Sequence, residues 1–229
     1  MNLRYNRILS ILVLTLFSNN GFSQLNSIEI EFIGNCGLYM TDGKNNIYVD
    51  FPYKSGAYNY MEFDKSELDS IKQNSIFIFT HKHADHFSGR NMREALKEKG
   101  GIKFTPWKSK KLTKYVEKIP ELDIEIFKTK HKFSLKHVSY LITWHGKRIF
   151  LSGDTTDPET IGGLENIDWA FLPYWILNKA YKQEIEIDAK MFGVYHIAAV
   201  QIPSAKKNYK EIDNIKPMIN QGEKIKIEL

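Results

Sequence analysis

The chain has 229 residues, 42% hydrophobic and 26% charged, which is enough for one well-buried domain and too apolar for a disordered one. Its formal charge of +5 is modest, and its single cysteine excludes an intrachain disulfide. Residues 1–23 read as a cleavable export signal. Arg4 and Arg7 precede the apolar run Ile8–Phe17, and the small residues Gly21 and Ser23 suit cleavage before Gln24. That run falls short of the ~20 apolar residues of a membrane span, and no cysteine near the cleavage point offers a lipid anchor. Loss of Arg4 and Arg7 lowers the charge from +5 to +3. The expectation is a soluble periplasmic or secreted domain spanning residues 24–229, with no stable membrane anchor.

Within that domain, Ile28-Glu29-Ile30-Glu31-Phe32 alternates apolar and charged side chains, the pattern of a half-buried strand. Asp42-Gly43 marks a turn, and Asn46–Asp50 pairs back. An aromatic, glycine-containing loop, Phe51–Phe63, leads to a helix starting at Asp64 or Ser66 and ending near Gln73. Ser75–Phe79 reads as a buried strand reaching Thr80. A helix then stops at Gly100-Gly101, and residues 102–104 form a strand. Lys103–Lys118 spaces Lys108, Lys110, Lys111, Lys114 and Lys118 around apolar residues, an amphipathic helix with a solvated lysine face. An exported protein has no occasion to meet nucleic acid, so none is expected as a partner. Strands follow at 122–127, 138–143, 148–151, 168–172, 191–195 and 224–228, with His145-Gly146-Lys147 turning the central hairpin. No linker, repeat or low-complexity segment interrupts these two βαβ-like halves.

The densest chemistry is His81-Lys82-His83-Ala84-Asp85-His86, placed at the end of the 75–80 strand. Imidazole nitrogens and carboxylate oxygens are the usual ligands of zinc and similar ions. His81 and His83, two apart in extended chain, can grip one ion, while Asp85 and His86 point beside it. Four ligand-type residues in six positions mark a metal site.

These residues match the HxHxDH motif of the metallo-β-lactamase superfamily, which the chain resembles along its mature length. Ile30–Met40 and Asn46–Asp50 resemble that family's opening hairpin, Lys147–Thr155 its strand ending in Gly-Asp-Thr, and Val194-Tyr195-His196 the strand delivering the last histidine. The short loops look most like the branch of ascorbate-lactonase-like hydrolases. The resemblance implies an α/β fold, an αββα sandwich of two mixed sheets flanked by helices. It also implies a hydrolase acting on a small molecule through two divalent ions, zinc first, with manganese(II) or iron(II) as alternatives.

In that scheme His81, His83 and His131 hold one ion, Asp85, His86 and His196 the second, and Asp154 bridges both. His131 fits the family's loop histidine better than His137, which abuts strand residues. A hydroxide shared by the ions is the expected nucleophile, with Asp85 and Asp154 as the catalytic carboxylates. The bond class (ester, lactone, amide or phosphodiester) stays open. Asp50 is a candidate acceptor for a ligand histidine's N–H, and a loop-capping carboxylate is the alternative. Cys36 reads as a small buried side chain, with a thiol near the metals as the alternative, and His145 as a turn residue. Tyr53, Tyr58, Tyr60, Trp107 and Leu172-Pro173-Tyr174-Trp175 are candidate pocket walls. Two other functional classes share the motif: a mononuclear-iron oxidoreductase and an exported metal-binding protein without turnover.

Overall fold

The computed structural model describes residues 27–54 and 61–229. The expected export signal, its cleavage point and the aromatics Tyr58 and Tyr60 lie outside these residues.

The alternation at the start of the domain forms β1 (Ser27–Gly34), with Ile28, Ile30 and Phe32 buried and Glu29 facing out. It pairs antiparallel with β2 (Gly37–Thr41), and β2 with β3 (Asn46–Val49). Parallel pairing then adds β4 (Ile76–Ile78) and β5 (Ile102–Phe104). The second sheet repeats the scheme. Antiparallel β6 (Leu122–Thr129), β7 (His137–Trp144) and β8 (Lys147–Leu151) continue into parallel β9 (Ile167–Pro173), β10 (Ala189–Tyr195) and β11 (Ile215–Pro217). The last strand, β12 (Lys224–Glu228), returns to the first sheet beside β1, so each mixed sheet has six strands.

Parallel pairs need crossovers that cover the sheet faces, and the helices supply them. In chain order these are α1 (Glu67–Ser70), α2 (Gly89–Lys99), α3 (Ser109–Val116), α4 (Glu159–Gly162), α5 (Tyr174–Lys182) and α6 (Ile202–Tyr209). Tyr48 and Phe77, on the outer face of the first sheet, pack with Leu68 and Met92 of α1 and α2. Leu141, Phe150 and Ala170, on the outer face of the second, pack with Ile161 and Ile176 of α4 and α5. Ile30, Leu38 and Ile78 of the first sheet meet Tyr140, Ile142 and Leu151 of the second in the central core. Each such fully buried side chain contributes about 1.5–3 kcal/mol. β7 is buried at every position but Thr143, because both its faces are covered. This is the αββα sandwich expected from the sequence.

Two expected elements differ. The helix after residue 64 is a single turn: Asp64 accepts the Ser66 N–H and Glu67 accepts the Asp64 N–H at its start, and the chain leaves helical geometry at Ile71. The segment after Pro173, expected as a pocket loop, is the nine-residue helix α5.

Candidate metal centre

The ends of β4 in one sheet and β8 in the other approach so closely that Gly153 leaves no room for a side chain. A Cβ there would lie 2.7 Å from Thr80 and 2.8 Å from His137 Nε2, and its φ of 57° favours glycine in any case. Around this junction the chain gathers the candidate ligands from both sheets.

Asp50, fully buried just past β3, fixes the loop that carries the motif. Its Oδ1 accepts the Thr80 N–H (2.7 Å), and its Oδ2 accepts the Thr80 hydroxyl (2.6 Å) and the His86 Nδ1–H (2.8 Å). With its proton committed to Asp50, the Thr80 hydroxyl oxygen accepts from His81 Nδ1 at 3.1 Å. The tautomer follows: His81 presents its Nε2 lone pair, which is buried and has no hydrogen-bond partner. Leaving such a nitrogen unpaired costs about 1–3 kcal/mol, and a metal ion removes that cost. His83 Nδ1 and His131 Nε2 face each other at 3.1 Å, and the nitrogens of His81, His83 and His131 lie within 4.8 Å of one another. Burial holds the His81 and His131 rings below the ordinary histidine range, so they stay neutral, as ligands must.

Beside this histidine triad lies a group with two carboxylates. Asp154 Oδ2 is 3.2 Å from His86 Nε2, 3.1 Å from His196 Nε2 and 3.8 Å from His131 Nε2. Asp85 Oδ2 is 3.3 Å from His196 Nε2 and 3.8 Å from His86 Nε2. For comparison, ligands bonded at 2.0–2.1 Å to a tetrahedral ion stand about 3.3 Å apart. Burial opposes ionisation of Asp154, yet His86 and His196 hold its carboxyl well below the usual range. The reciprocal effect lifts His196 to about 9 against the pull of burial. The donor sets and their spacing fit metal binding.

The two loop histidines are separated by what their nitrogens do. His137 Nε2 accepts the Asp154 N–H (3.0 Å) and its Nδ1 meets the Thr129 hydroxyl (2.7 Å), so neither nitrogen is free for an ion. Its ring instead orients Asp154, and burial lowers its pKa to about 3. His131 sits on a loop held by Lys130, whose carbonyl accepts from Thr155 and Thr156. Cys36 joins the second group: its buried thiol donates to Asp154 Oδ1 at 3.4 Å, and its sulfur lies within 4.8 Å of the ligand atoms of His86, Asp154 and His196. Sequence reasoning weighed this thiol only as an alternative, because a contact across 118 positions leaves no local signal.

Of the expected walls, Trp175 stands edge-on to the His196 ring at 5.1 Å, with its indole N–H donated to Thr155. Trp107 is exposed. Tyr53, Leu172 and Pro173 are corrected to core, since all three are buried: Tyr53 packs edge-on against Phe51 and Phe63, and Leu172 packs under α5. Tyr174 is only part-buried and accepts a hydrogen bond from Gln201. His145 does turn its hairpin, and also clasps Asp42 and Glu121.

No protein-family model matches the sequence. A UPF0173 metal-dependent hydrolase of Thermus thermophilus is 26% identical over 172 residues, 64% of this chain and 70% of the relative. A solved metallo hydrolase of Ignicoccus hospitalis superposes with a TM-score of 0.66 at 17% identity, covering 89% of this chain and 99% of that one. The metallo-β-lactamase fold protein YhfI of Bacillus subtilis superposes at 0.58 and 11% identity, covering 88% of this chain and all of that one (100%). At those identities the structural likeness is one of fold.

Proposed function

We propose that the chain is a metal-dependent hydrolase of the metallo-β-lactamase superfamily, and that it hydrolyses a small molecule with two divalent ions, zinc in the first instance. The carrying observation is Asp154 Oδ2, one carboxylate oxygen lying between His131 of the first triad and His86 and His196 of the second group. His81, His83 and His131 would hold the first ion, and Asp85, His86 and His196 the second. Bound there, such ions supply a water acidified to about pKa 7, against 15.7 in bulk, and a Lewis-acidic face for the scissile carbonyl or phosphoryl group.

The chain's own residues do the rest. Asp50 pins the His86 ring so that Nε2 faces the centre, and His137 pins the Asp154 backbone. Asp85, at the edge of the group, would accept and orient a proton of a water activated there. Trp175 shields the His196 side from solvent, while the less buried His83 and His131 mark the open side. Metal analysis of natively purified protein, with a screen of chromogenic esters, lactones, phosphodiesters and β-lactams, tests this reading. Two zinc ions per chain and turnover in one class support it. One iron per chain without hydrolysis would replace it with the oxidoreductase.

We also propose export of this domain, resting on the Arg4/Arg7–Ile8–Phe17 pattern. Mass spectrometry of the cell-envelope protein should find Gln24 as the first residue, and intact residues 1–23 in a membrane fraction would refute it.

A further inference from the structure

The loop between β6 and β7 spends apolar side chains where folding gains nothing from them. Phe133 is 88% and Leu135 98% exposed, within a segment whose charged residues are all basic. Chance fraying does not explain the exposure, because the loop is internally tied. The Ser134 N–H donates to the His131 carbonyl, and the Ser134 hydroxyl to the Lys136 carbonyl. Phe133 itself holds a left-handed φ of 61°, a conformation a bulky residue rarely keeps without cause. Lys132 lies over its ring at 5.0 Å.

A second segment extends the same face. Trp107, 49% exposed, sits on the 3-10 turn before α3 with Lys82 at 4.6 Å and Lys136 at 6.0 Å from its ring. None of these three lysines forms an ion pair among the described residues, so their charge is uncompensated within the fold. An exposed aromatic, two apolar tips and a collar of unpaired lysines form the pattern of a protein that rests on a membrane surface. There the apolar groups enter the headgroup boundary and lysines meet anionic lipid.

We propose that this face, Trp107 with Phe133, Leu135, Lys82, Lys132 and Lys136, docks the protein on anionic phospholipid. His131 is two residues from the inserted Phe133, so docking brings the open side of the metal centre to the lipid. The inference stands on exposure and charge, independently of the hydrolase reading.

Co-sedimentation of the metal-loaded protein with phosphatidylcholine vesicles, with and without phosphatidylglycerol, tests it. Binding is expected only with phosphatidylglycerol, weakening with salt, together with a blue shift of tryptophan emission that Trp107→Phe abolishes. Phe133→Ser with Leu135→Ser should reduce partitioning by more than tenfold. Lys132→Ala and Lys136→Ala should each cost about fivefold. Metal content and melting temperature should stay unchanged in all of them, since the altered side chains are on the surface. No binding to either vesicle, equal binding to both, or wild-type binding by the Phe133→Ser/Leu135→Ser variant would each overturn the proposal.

Discussion

Two clusters of histidine and carboxylate stand apart in this molecule and look alike in composition. At the β7–β8 turn, His145 has a carboxylate acceptor for each ring nitrogen: Nδ1 meets Glu121 Oε2 at 2.6 Å and Nε2 meets Asp42 Oδ2 at 3.0 Å. At the junction of the sheets, His81 keeps a buried nitrogen without a partner, and His83 and His131 point nitrogens at each other. The first cluster is satisfied and works as a clasp. The second keeps ring nitrogens available to a metal ion, as the proposed site requires. What distinguishes a ligand from a structural histidine is the hydrogen-bond ledger of its ring, which neither the residue type nor its burial reveals.

The largest effect should come from the shared carboxylate and the first triad. His83→Ala or Asp154→Asn should lower metal affinity by at least about 100-fold, the upper end for loss of a supporting partner, and abolish hydrolysis with the circular dichroism unchanged. A fully metallated, active variant would erase the distinction between the clusters. Next, His131→Ala should behave like His83→Ala. His137→Ala should instead keep the first ion and lose about 1–3 kcal/mol of stability, because the Asp154 N–H is left buried and unpaired; metal titration and chemical denaturation separate the two.

Cys36→Ser keeps a donor toward Asp154 and should change turnover only a few-fold. Abolished hydrolysis in that variant, with Asp154→Asn active, would point to a covalent thiol mechanism. The smallest effect belongs to the clasp. Burial acts to raise the Asp42 carboxyl, but hydrogen bonds from the Asn45 N–H, His145 and the Lys44 N–H hold it below its ordinary value. Asp42 therefore contributes stability above its unfolded pKa, and that contribution disappears as pH falls through the lower folded value. Asp42→Asn should flatten the acid limb of the melting curve below about pH 4 and leave metal content untouched.

Much of this was legible in the sequence because the signals were local. Alternation marked β1, and the run into His81–His86 marked both a strand and the candidate ligands at its end. Gly100 supplied the stop of α2, where its N–H bonds the Leu96 carbonyl. What was hidden depended on distance or on missing punctuation. α5 begins at Tyr174 with no side-chain cap, and its Tyr-Trp-Ile-Leu start reads like the apolar run before it. Tyr53 looked like a pocket aromatic because nothing local says that Phe51 and Phe63 enclose it. The choice of His131 over His137 rested on family likeness. In the structure both His137 nitrogens are engaged, by the Asp154 N–H and the Thr129 hydroxyl.

The pairing of β1 with β12, from Ser27↔Glu228 to Glu31↔Lys224, also sets a timetable. At 5–20 residues per second, the ribosome finishes β12 roughly 10–40 s after β1 emerges. Through that interval the outer edge of β1 has no strand beside it. Glu29 and Glu31, charged residues on a strand left open, discourage stray pairing in the meantime. A first sheet that closes only with β12 keeps the nascent chain from locking early, before its central strands have partners on both sides.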